Sequence, residues 1–341
     1  MIAIIVPNWN GADFLEPCLK SLLQMDHNDF EVVVVDNGSV DASKDIIKQQ
    51  FPQVTLIELD KNYGFAGGVN AGIKYALNKK AWAVALFNND AVADKDWLRR
   101  LEETLRHSNL AAAVTSQFLN IDGKTIDSIG DYYSVWGLPF PKGRGQARQS
   151  DAKVLEVFGA SGGASLYLAE ALQDIGLFDE DFFAYYEDVD LSFRARLRGW
   201  KIYYQPAAIA FHHIGGTSSK LSGFSRYHSV KNLYFVYTKD MPTRLYWKYL
   251  FRFWIAMVLV AFNSVRNRQA WPMFKGSLMA LLLFPKMVLK RFQIQHHRTI
   301  SAKEIDALLY HSLPPTQVKA IRAFGKLPLI SNWLISENDG D

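Results

Sequence analysis

The sequence contains almost no cysteine. Cys18 is the single one among 341 residues, which excludes a disulfide framework and a zinc site built from cysteines. One thiol in a helical context is typical of a protein in a reducing compartment. The chain also starts with a strand-like segment, residues 2–6, which leaves no room for the charged and apolar regions of a secretory signal peptide. We therefore expect a cytoplasmic protein.

Long apolar runs are also missing. Residues 253–262 are wholly apolar, and residues 277–289 form a second apolar stretch that Pro285 and Lys286 interrupt. A helix that crosses a bilayer needs about 20 apolar residues, so neither run crosses a membrane easily. Residues 246–262 approach that length only with two cationic side chains included.

Acidic residues are absent from a region that is rich in basic ones. Residues 241–300 hold ten Lys or Arg and no Asp or Glu, whereas an ordinary solvated surface mixes both signs. The pattern favours helices that lie in a membrane interface, with cations on anionic lipid and Trp247, Trp254 and Trp271 at headgroup level. The alternative is a buried helical subdomain whose cations face water. No nucleic-acid-binding motif accompanies the charge, so we expect no nucleic acid partner.

The first 225 residues alternate strand-like and helix-like segments at the spacing of βαβ units, which predicts an α/β domain. Asp122-Gly123 is a hairpin signal, and residues 139–149 are expected to form a mobile loop. Strands are predicted at residues 2–6, 32–35, 54–59, 82–87, 111–117, 154–160 and 201–204, and helices at residues 13–25, 43–50, 69–77, 95–107, 169–175 and 189–198.

Two predicted parallel strands run directly into acidic residues. The valines of residues 32–35 are followed by Asp36, and residues 82–87 are followed by Asn88-Asn89-Asp90. Ligands bind at the carboxyl ends of the strands of an open α/β sheet. A carboxylate at each of two such ends suits a nucleotide base at one and a metal-bound diphosphate at the other.

Five motifs occur in an order that resembles family 2 glycosyltransferases, most closely the bacterial rhamnosyltransferase-like branch. They lie at residues 8–11, 35–41, 62–72, 88–90 and 182–191. The resemblance covers about 225 residues and implies a GT-A fold, a Rossmann-like mixed α/β sheet that transfers sugars from nucleotide diphosphates. It implies a donor site in residues 1–117 and an acceptor side in residues 118–225. Residues 226–341 are then a basic, aromatic-rich helical extension, associated with the membrane.

The resemblance also implies how the donor is held. Asp36 accepts the N3–H of a uracil or thymine ring, although Asp-Asn-Gly-Ser is also good turn chemistry. The glycines after the third strand allow close backbone approach. They do not keep the G-x-G-x-x-G spacing, so a dehydrogenase is disfavoured. The expected donor-binding residues are Pro7, Asn8, Asn10, Asp36, Asn62, Gly67, Asn70, Asn89 and Gly163.

A divalent cation, Mg²⁺ or Mn²⁺, is the expected cofactor. Asp90 is the predicted ligand, with donor phosphates and water completing the set. The motif departs from Asp-x-Asp because Asn88 stands first, and Asp90 as a helix N-cap is the alternative. The resemblance places one histidine of His212-His213 at the metal or diphosphate. Sequence spacing favours His213, and the alternative is a packed or capping histidine.

The predicted catalytic residues are Glu187 and Asp188, at the start of a helix. Acids are favourable there through the helix dipole alone. In inverting members of the family the second acid is the general base, which by residue match is Asp188, while Glu187 orients the acceptor. Arg194 and Arg196 either neutralise this acid cluster or form surface ion pairs.

The sequence thus predicts an inverting transferase that moves one sugar, because residues 196–200 lack the glutamine of processive synthases. The expected donor is dTDP-rhamnose or a UDP-sugar, and the acceptor is a lipid-linked glycan of bacterial surface polysaccharide at the inner face of the plasma membrane. The alternatives are an inactive nucleotide-sugar-binding assembly partner and a nucleotidyltransferase. The latter needs a basic Gly-rich loop, which residues 8–11 do not provide.

Overall fold

The computed structural model describes residues 1–148, 152–213, 222–315 and 317–318. The chain forms two compact units. The first comprises Met1–Asp131 and Pro141–Ser222, and the second comprises Tyr132–Phe140 and Gly223–Asp341. The sequence analysis did not anticipate that residues 132–140 belong with the C-terminal helices.

The first unit is built on one mixed sheet. Its parallel half consists of β1 (Ile2–Asn8), β2 (Phe30–Asp36), β3 (Thr55–Glu58) and β4 (Ala83–Phe87), in the order β3, β2, β1, β4. The sheet continues from β4 through antiparallel β11 (Ala164–Leu168) to β6 (Ala111–Asn120), then to parallel β12 (Lys201–His212) and antiparallel β10 (Leu155–Glu156). Two short strands join this sheet: β5 (Ala91–Ala93) pairs with β12, and β7 (Ile126–Ser128) pairs with β6. A separate two-stranded sheet is formed by β8 (Asp131–Tyr133) and β9 (Pro139–Pro141).

Helices cover both faces of this sheet, which explains the apolar runs in its strands. Alternate side chains of a strand point to opposite faces, so Ile2 and Ile4 join one hydrophobic cluster while Ala3 and Ile5 join another. Both clusters are fully buried. The helices are α1 (Ala12–Leu23), α2 (Ser43–Gln50), α3 (Gly64–Asn78), α4 (Trp97–His107), α5 (Ala169–Ile175) and α6 (Glu187–Leu197).

Helix α3 begins at Gly64, five residues before the predicted start. The glycines after the third strand therefore lie inside the helix, where Gly64 is the first residue. The amide oxygen of Asn62 accepts a hydrogen bond from the N–H of Gly64 at 2.8 Å, which satisfies one free donor of the helix end. A Cβ at Gly72 would lie 2.4 Å from Ile5 Cγ2, so the glycine lets the helix approach the sheet closely.

The Asp122-Gly123 hairpin is confirmed, because β6 and β7 pair antiparallel around it. The expectation of a mobile loop at residues 139–149 is wrong for the described residues 139–148: β9 begins there, and Arg144 forms an ion pair with Asp127. β12 is longer than predicted, since it joins two apolar stretches that Pro206 separates. A register shift against β6 accommodates the proline.

The second unit combines the segment Tyr132–Phe140, which carries most of β8 and β9, with the C-terminal helices. It contains α7 (Phe224–Asp240), α8 (Thr243–Arg266), α9 (Ala270–Leu282), α10 (Phe284–His296) and α11 (Ala302–Leu308). By length and composition α8 is able to cross a membrane, and α9 with α10 passes the same criterion as a pair bent by 59°. Core helices of soluble proteins also meet this criterion.

Candidate active site

The carboxyl ends of β1 and β2 carry a buried polar cluster around Asp36. Asn8 and Asp36 lie opposite each other in the strand register, and Asn8 Nδ2 donates to Asp36 Oδ1 at 3.2 Å. The N–H of Ser39 donates to Asp36 Oδ2 at 3.0 Å. The Ser39 hydroxyl oxygen accepts from the N–H of Asn10 at 2.9 Å, so the first two motifs form one structure. Pro7 pairs with Val35 just before this cluster.

The glycine-rich motif lies beside this cluster. Asn37 Nδ2 donates to Asn62 Oδ1 at 3.2 Å and to the Gly64 carbonyl at 2.8 Å, so Asn62 is fixed beside the end of β2. Gly67 follows inside α3, where a Cβ would lie 2.6 Å from Tyr63 Cβ.

Asn70 connects two parts of the chain. Its amide donates to the Phe178 carbonyl at 2.9 Å and to Glu180 Oε1 at 3.0 Å, and it accepts from the Phe178 N–H at 3.0 Å. Both ends of the amide therefore have protein partners, which link α3 to the segment that leads to α6. Its contact with the donor stays a prediction.

The motif after β4 joins the Asp36 cluster to the rest of the sheet edge. Asn89 Nδ2 donates to Asn8 Oδ1 at 2.7 Å, and the N–H of Asn88 donates to the Gly163 carbonyl at 2.8 Å. A Cβ at Gly163 would lie 2.8 Å from Phe118 Cε1, so only glycine fits there. These contacts place the ends of β1, β4 and β11 next to one another.

The imidazole beside Asp90 belongs to His212, not to the predicted His213. His212 Nε2 lies 3.3 Å from Asp90 Oδ1, whereas His213 donates its backbone N–H to the Asp90 carbonyl at 2.9 Å and places its ring 6.0 Å from that of Phe14. His212 is the last residue of β12 and His213 is the next residue, so their side chains point in opposite directions. Sequence spacing favoured His213 because it does not register which face of the strand each side chain takes.

Asp127 contacts the other nitrogen of His212. The distance from His212 Nδ1 to Asp127 Oδ2 is 2.8 Å. Burial opposes the charge on the imidazole, but the hydrogen bonds to Asp127 and Asp90 outweigh it and raise the pKa of His212 to about 9. The pKa of Asp127 is lowered despite its burial, because His212 and Arg144 favour the carboxylate.

Asp90 and His212 suit a divalent cation. No cluster of three or more His, Cys, Asp or Glu side chains that could bind a metal occurs in the described part of the chain. A carboxylate oxygen and an imidazole nitrogen nevertheless converge at 3.3 Å, and Mg²⁺ commonly takes one or two protein ligands plus phosphates and water. Manganese accepts the same oxygen-rich set with imidazole. The pair therefore fits a cation that a diphosphate helps to hold.

Asp188 lies at the start of α6 and faces the β11 side of the same edge. Its Oδ2 accepts from the N–H of Gly162 at 2.9 Å, and its Oδ1 accepts from the N–H of Val189 at 2.8 Å. Burial raises the pKa of Asp188, and the backbone hydrogen bonds offset part of that rise. A carboxylate so held keeps a second lone pair on each oxygen for a ligand.

A second carboxyl group, that of Asp131, is near Asp188. Burial and the Asp188 charge raise the pKa of Asp131 well above its ordinary value. Asp131 exchanges two backbone hydrogen bonds with Gly159, at 2.9 and 3.1 Å. A Cβ at Gly159 would lie 3.1 Å from Ser192, which follows Asp188 by one helical turn. The sequence analysis missed Asp131 because an acid in a loop-like stretch carries no motif.

The other acids and bases of α6 are buried, and the role of Glu187 at the acceptor stays a prediction. Glu187 is buried, at 5% exposure. Arg194 pairs with the buried Asp190 at 2.9 Å, and Arg196 pairs with Glu156 at 2.6 Å. Both arginines are buried, so the surface ion pairs considered from sequence are not what forms. Arg194 does neutralise one acid of the cluster.

Residues 3–176, just over half of the chain, match the family model "Glycosyl transferase family 2". Among curated proteins, the poly-beta-1,6-N-acetyl-D-glucosamine synthase of Staphylococcus aureus strain MSSA476 is 26% identical over 217 residues, which is 62% of this chain and 49% of that protein. The match therefore spans about half the length of this relative.

Solved structures share the fold. GalNAc-T7 with UDP, GalNAc and Mn²⁺ has a TM-score of 0.56 at 15% identity, over 69% of this chain and 47% of that one. The S. aureus TarS fragment 1–349 has a TM-score of 0.52 at 17% identity, over 94% of this chain and 87% of that one. These likenesses confirm the predicted GT-A fold.

Proposed function

This chain belongs to glycosyl transferase family 2 and is a glycosyltransferase, and from that premise we propose the reaction that it catalyses. It moves one sugar from a dTDP- or UDP-sugar, with dTDP-rhamnose as the first candidate, to a hydroxyl of a lipid-linked glycan. The configuration of the anomeric carbon is inverted. The reaction serves the assembly of a bacterial surface polysaccharide, in keeping with the product named for the S. aureus relative.

One observation carries this proposal. An unbroken series of contacts runs along the carboxyl edge of the sheet from Asp36 to Asp188. Asn8 donates a hydrogen bond to Asp36 and accepts one from Asn89. The chain neighbour of Asn89, Asn88, donates to the Gly163 carbonyl. The chain neighbour of Gly163, Gly162, donates to Asp188. This series supports our proposal that the residues for the nucleotide, the diphosphate and the acceptor belong to one site along this edge. A sugar nucleotide lying along this edge would meet them in that order.

Asp188 is the general base in this proposal. It takes the proton from the acceptor hydroxyl as that oxygen attacks the anomeric carbon. The bond from that carbon to the diphosphate oxygen breaks on the opposite side, and the nucleoside diphosphate leaves with the bonding pair. The Gly162 and Val189 N–H groups hold the carboxylate in place throughout. A base whose pKa lies above the ordinary aspartate value accepts a proton more readily at neutral pH.

The donor is held by its two ends. Asp36, fixed by Asn8 and Ser39, would accept the N3–H of uracil or thymine. Asp90 and His212 would hold a divalent cation, which when bound offsets the negative charge that develops on the leaving diphosphate. His212 takes the place that the sequence analysis gave to His213. GalNAc-T7 was crystallised with UDP and Mn²⁺, which supports a cation of this kind.

The test measures sugar transfer by the purified protein from a panel of UDP- and dTDP-sugars, with Mg²⁺ or Mn²⁺ present. Release of the nucleoside diphosphate is the readout. Asp188→Asn should lower kcat by roughly 10²- to 10⁴-fold, as expected for the loss of a positioned base, with unchanged donor affinity. Asp45→Asn, an exposed change on α2, is the matched control. Donor binding without turnover in the wild type would instead support the inactive assembly partner.

A further inference from the structure

His212 is held from three directions. Its Nδ1 lies 2.8 Å from Asp127 Oδ2, and its ring stacks on that of Phe118 with centroids 4.5 Å apart and planes 17° apart. Its Nε2 faces Asp90 at 3.3 Å. A carboxylate accepts hydrogen bonds and does not donate them, so Nδ1 carries the proton of that contact. With Nε2 deprotonated, as a metal-binding histidine must be, the ring keeps its proton on Nδ1 and has its lone pair on Nε2, beside Asp90.

Asp127 is itself fixed. Arg144 Nη2 lies 2.8 Å from Asp127 Oδ1, and Arg144 Nε donates to the Asp127 backbone carbonyl at 3.1 Å. The side chain of Asp127 is 4% exposed, and that of Arg144 is 58% exposed. Each carboxylate oxygen of Asp127 therefore faces its own basic partner: Arg144 forms an ion pair with Oδ1, and His212 contacts Oδ2. The segment predicted to be a mobile loop supplies this arginine.

We propose that Asp127, held by Arg144, is a positioning residue that keeps the proton of the neutral His212 ring on Nδ1 and so leaves Nε2 unprotonated toward Asp90, and that it thereby sets the affinity of the Asp90–His212 pair for a divalent cation. The inference rests on the proposed function, which assigns the cation to that pair. Partners of this kind fix the tautomer and orientation of a metal-binding histidine.

An amide at position 127 distinguishes this role from simple packing. Arginine only donates hydrogen bonds, so it would claim the amide oxygen and turn the NH₂ group toward His212. Nδ1 would then have to accept, and the ring proton would move to Nε2. A protonated Nε2 cannot bind a metal. Removing Arg144 as well would free the amide to rotate and present its oxygen to Nδ1–H again.

The experiment measures Mn²⁺ binding by the full chain, with Mn²⁺ alone as the probe and the electron paramagnetic resonance signal of free Mn²⁺ as the readout. Asp127→Asn should weaken binding about 10- to 100-fold. The double variant Asp127→Asn/Arg144→Ala should recover a clear part of that loss, although it carries one more substitution. Asp90→Asn should abolish binding, and Asp45→Asn should bind like the wild type.

The outcomes separate the two proposals. If Asp90→Asn loses Mn²⁺ while Asp127→Asn binds it as well as the wild type does, the positioning role is refuted and the metal site stands. A double variant no better than Asp127→Asn also refutes it, since the loss then reflects general damage. If the wild type binds no more Mn²⁺ than Asp90→Asn does, and adding UDP creates no difference between them, the metal site of the proposed function fails.

Discussion

At the scale of single residues, the site places two carboxyl groups close enough to affect each other. Asp131 and Asp188 both have raised pKa values, by burial first and, for Asp131, by the charge of Asp188. Two such groups titrate as a pair. The more easily ionised member serves as base, and the other remains protonated to higher pH.

The pH dependence of activity should reflect this pair. Since the proposed base works as a carboxylate, kcat/KM should rise with pH, with its midpoint above the ordinary aspartate value. Asp131 stays protonated while Asp188 ionises, so Asp131→Asn removes no charge at that stage and should leave the midpoint where it is in the wild type. A midpoint that moves to lower pH in a pH–rate profile of this variant would mean that Asp131 is the first of the two to ionise.

The same variant should change stability. An acid whose pKa is raised on folding binds more protons in the folded state, so the free energy of unfolding falls as pH rises through the raised pKa. Asp131→Asn removes this pH-dependent loss of unfolding free energy, so the variant should be more stable than the wild type at pH 7. The difference should vanish at pH values below the ordinary aspartate pKa. Denaturant unfolding at both pH values measures it, and an equal shift at both would contradict the assignment.

At the scale of elements, the short segment directly before α6 is strained. Phe183, Tyr185 and Tyr186 all have positive φ, which is uncommon for bulky residues and marks functional sites. The N–H of Ala66, in the first turn of α3, donates to the Phe183 carbonyl at 3.2 Å. The first turn of α3 therefore supports the strained chain that leads to Asp188.

Gly64 is the point of closest approach between these two elements. It has φ of +74°, and a Cβ there would lie 2.3 Å from the Phe183 carbonyl oxygen. Gly64→Ala should destabilise the protein by more than the ~1–2 kcal/mol cost of a left-handed residue and should also lower kcat. Gly145→Ala is the matched control, since Gly145 has φ of +80° and nothing within 4 Å of the added Cβ. Equal losses of unfolding free energy in both variants would show that the contact with Phe183 is unimportant.

At the scale of the whole molecule, the second unit has a long exposed apolar face. On α8 it consists of residues three or four apart, so they form one stripe, and each is at least half exposed. No acid lies between residues 241 and 300. We propose that this surface lies on an anionic membrane, where a lipid-linked acceptor would be found. The stripe consists of Trp247, Phe251, Trp254, Val258, Phe262 and Val265.

Binding to vesicles tests this surface. The full chain should sediment with phosphatidylglycerol vesicles and less with neutral ones. Trp254→Glu should weaken binding at least about tenfold, because burial of one large apolar side chain stabilises by roughly 1.5–3 kcal/mol. Ile121→Glu, at a similarly exposed position of the first unit, should bind like the wild type. Equal binding by both variants would assign the stripe to a contact with protein.

The sequence by itself determined the alternation of strands and helices, the polar strand ends and the motif order. Local patterns suffice for these, because apolar periodicity and turn chemistry act over a few residues. It predicted α2 and α5 at the residues where they form.

Only the tertiary structure decided which distant groups meet. It placed His212 instead of His213 beside Asp90, because an extended strand turns neighbouring side chains to opposite faces. It gave Asn70 a connecting role and brought Asp127, Asp131 and Arg144 to the site from segments without a recognisable pattern. These contacts depend on the register and packing of strands far apart in the chain, which no local pattern encodes.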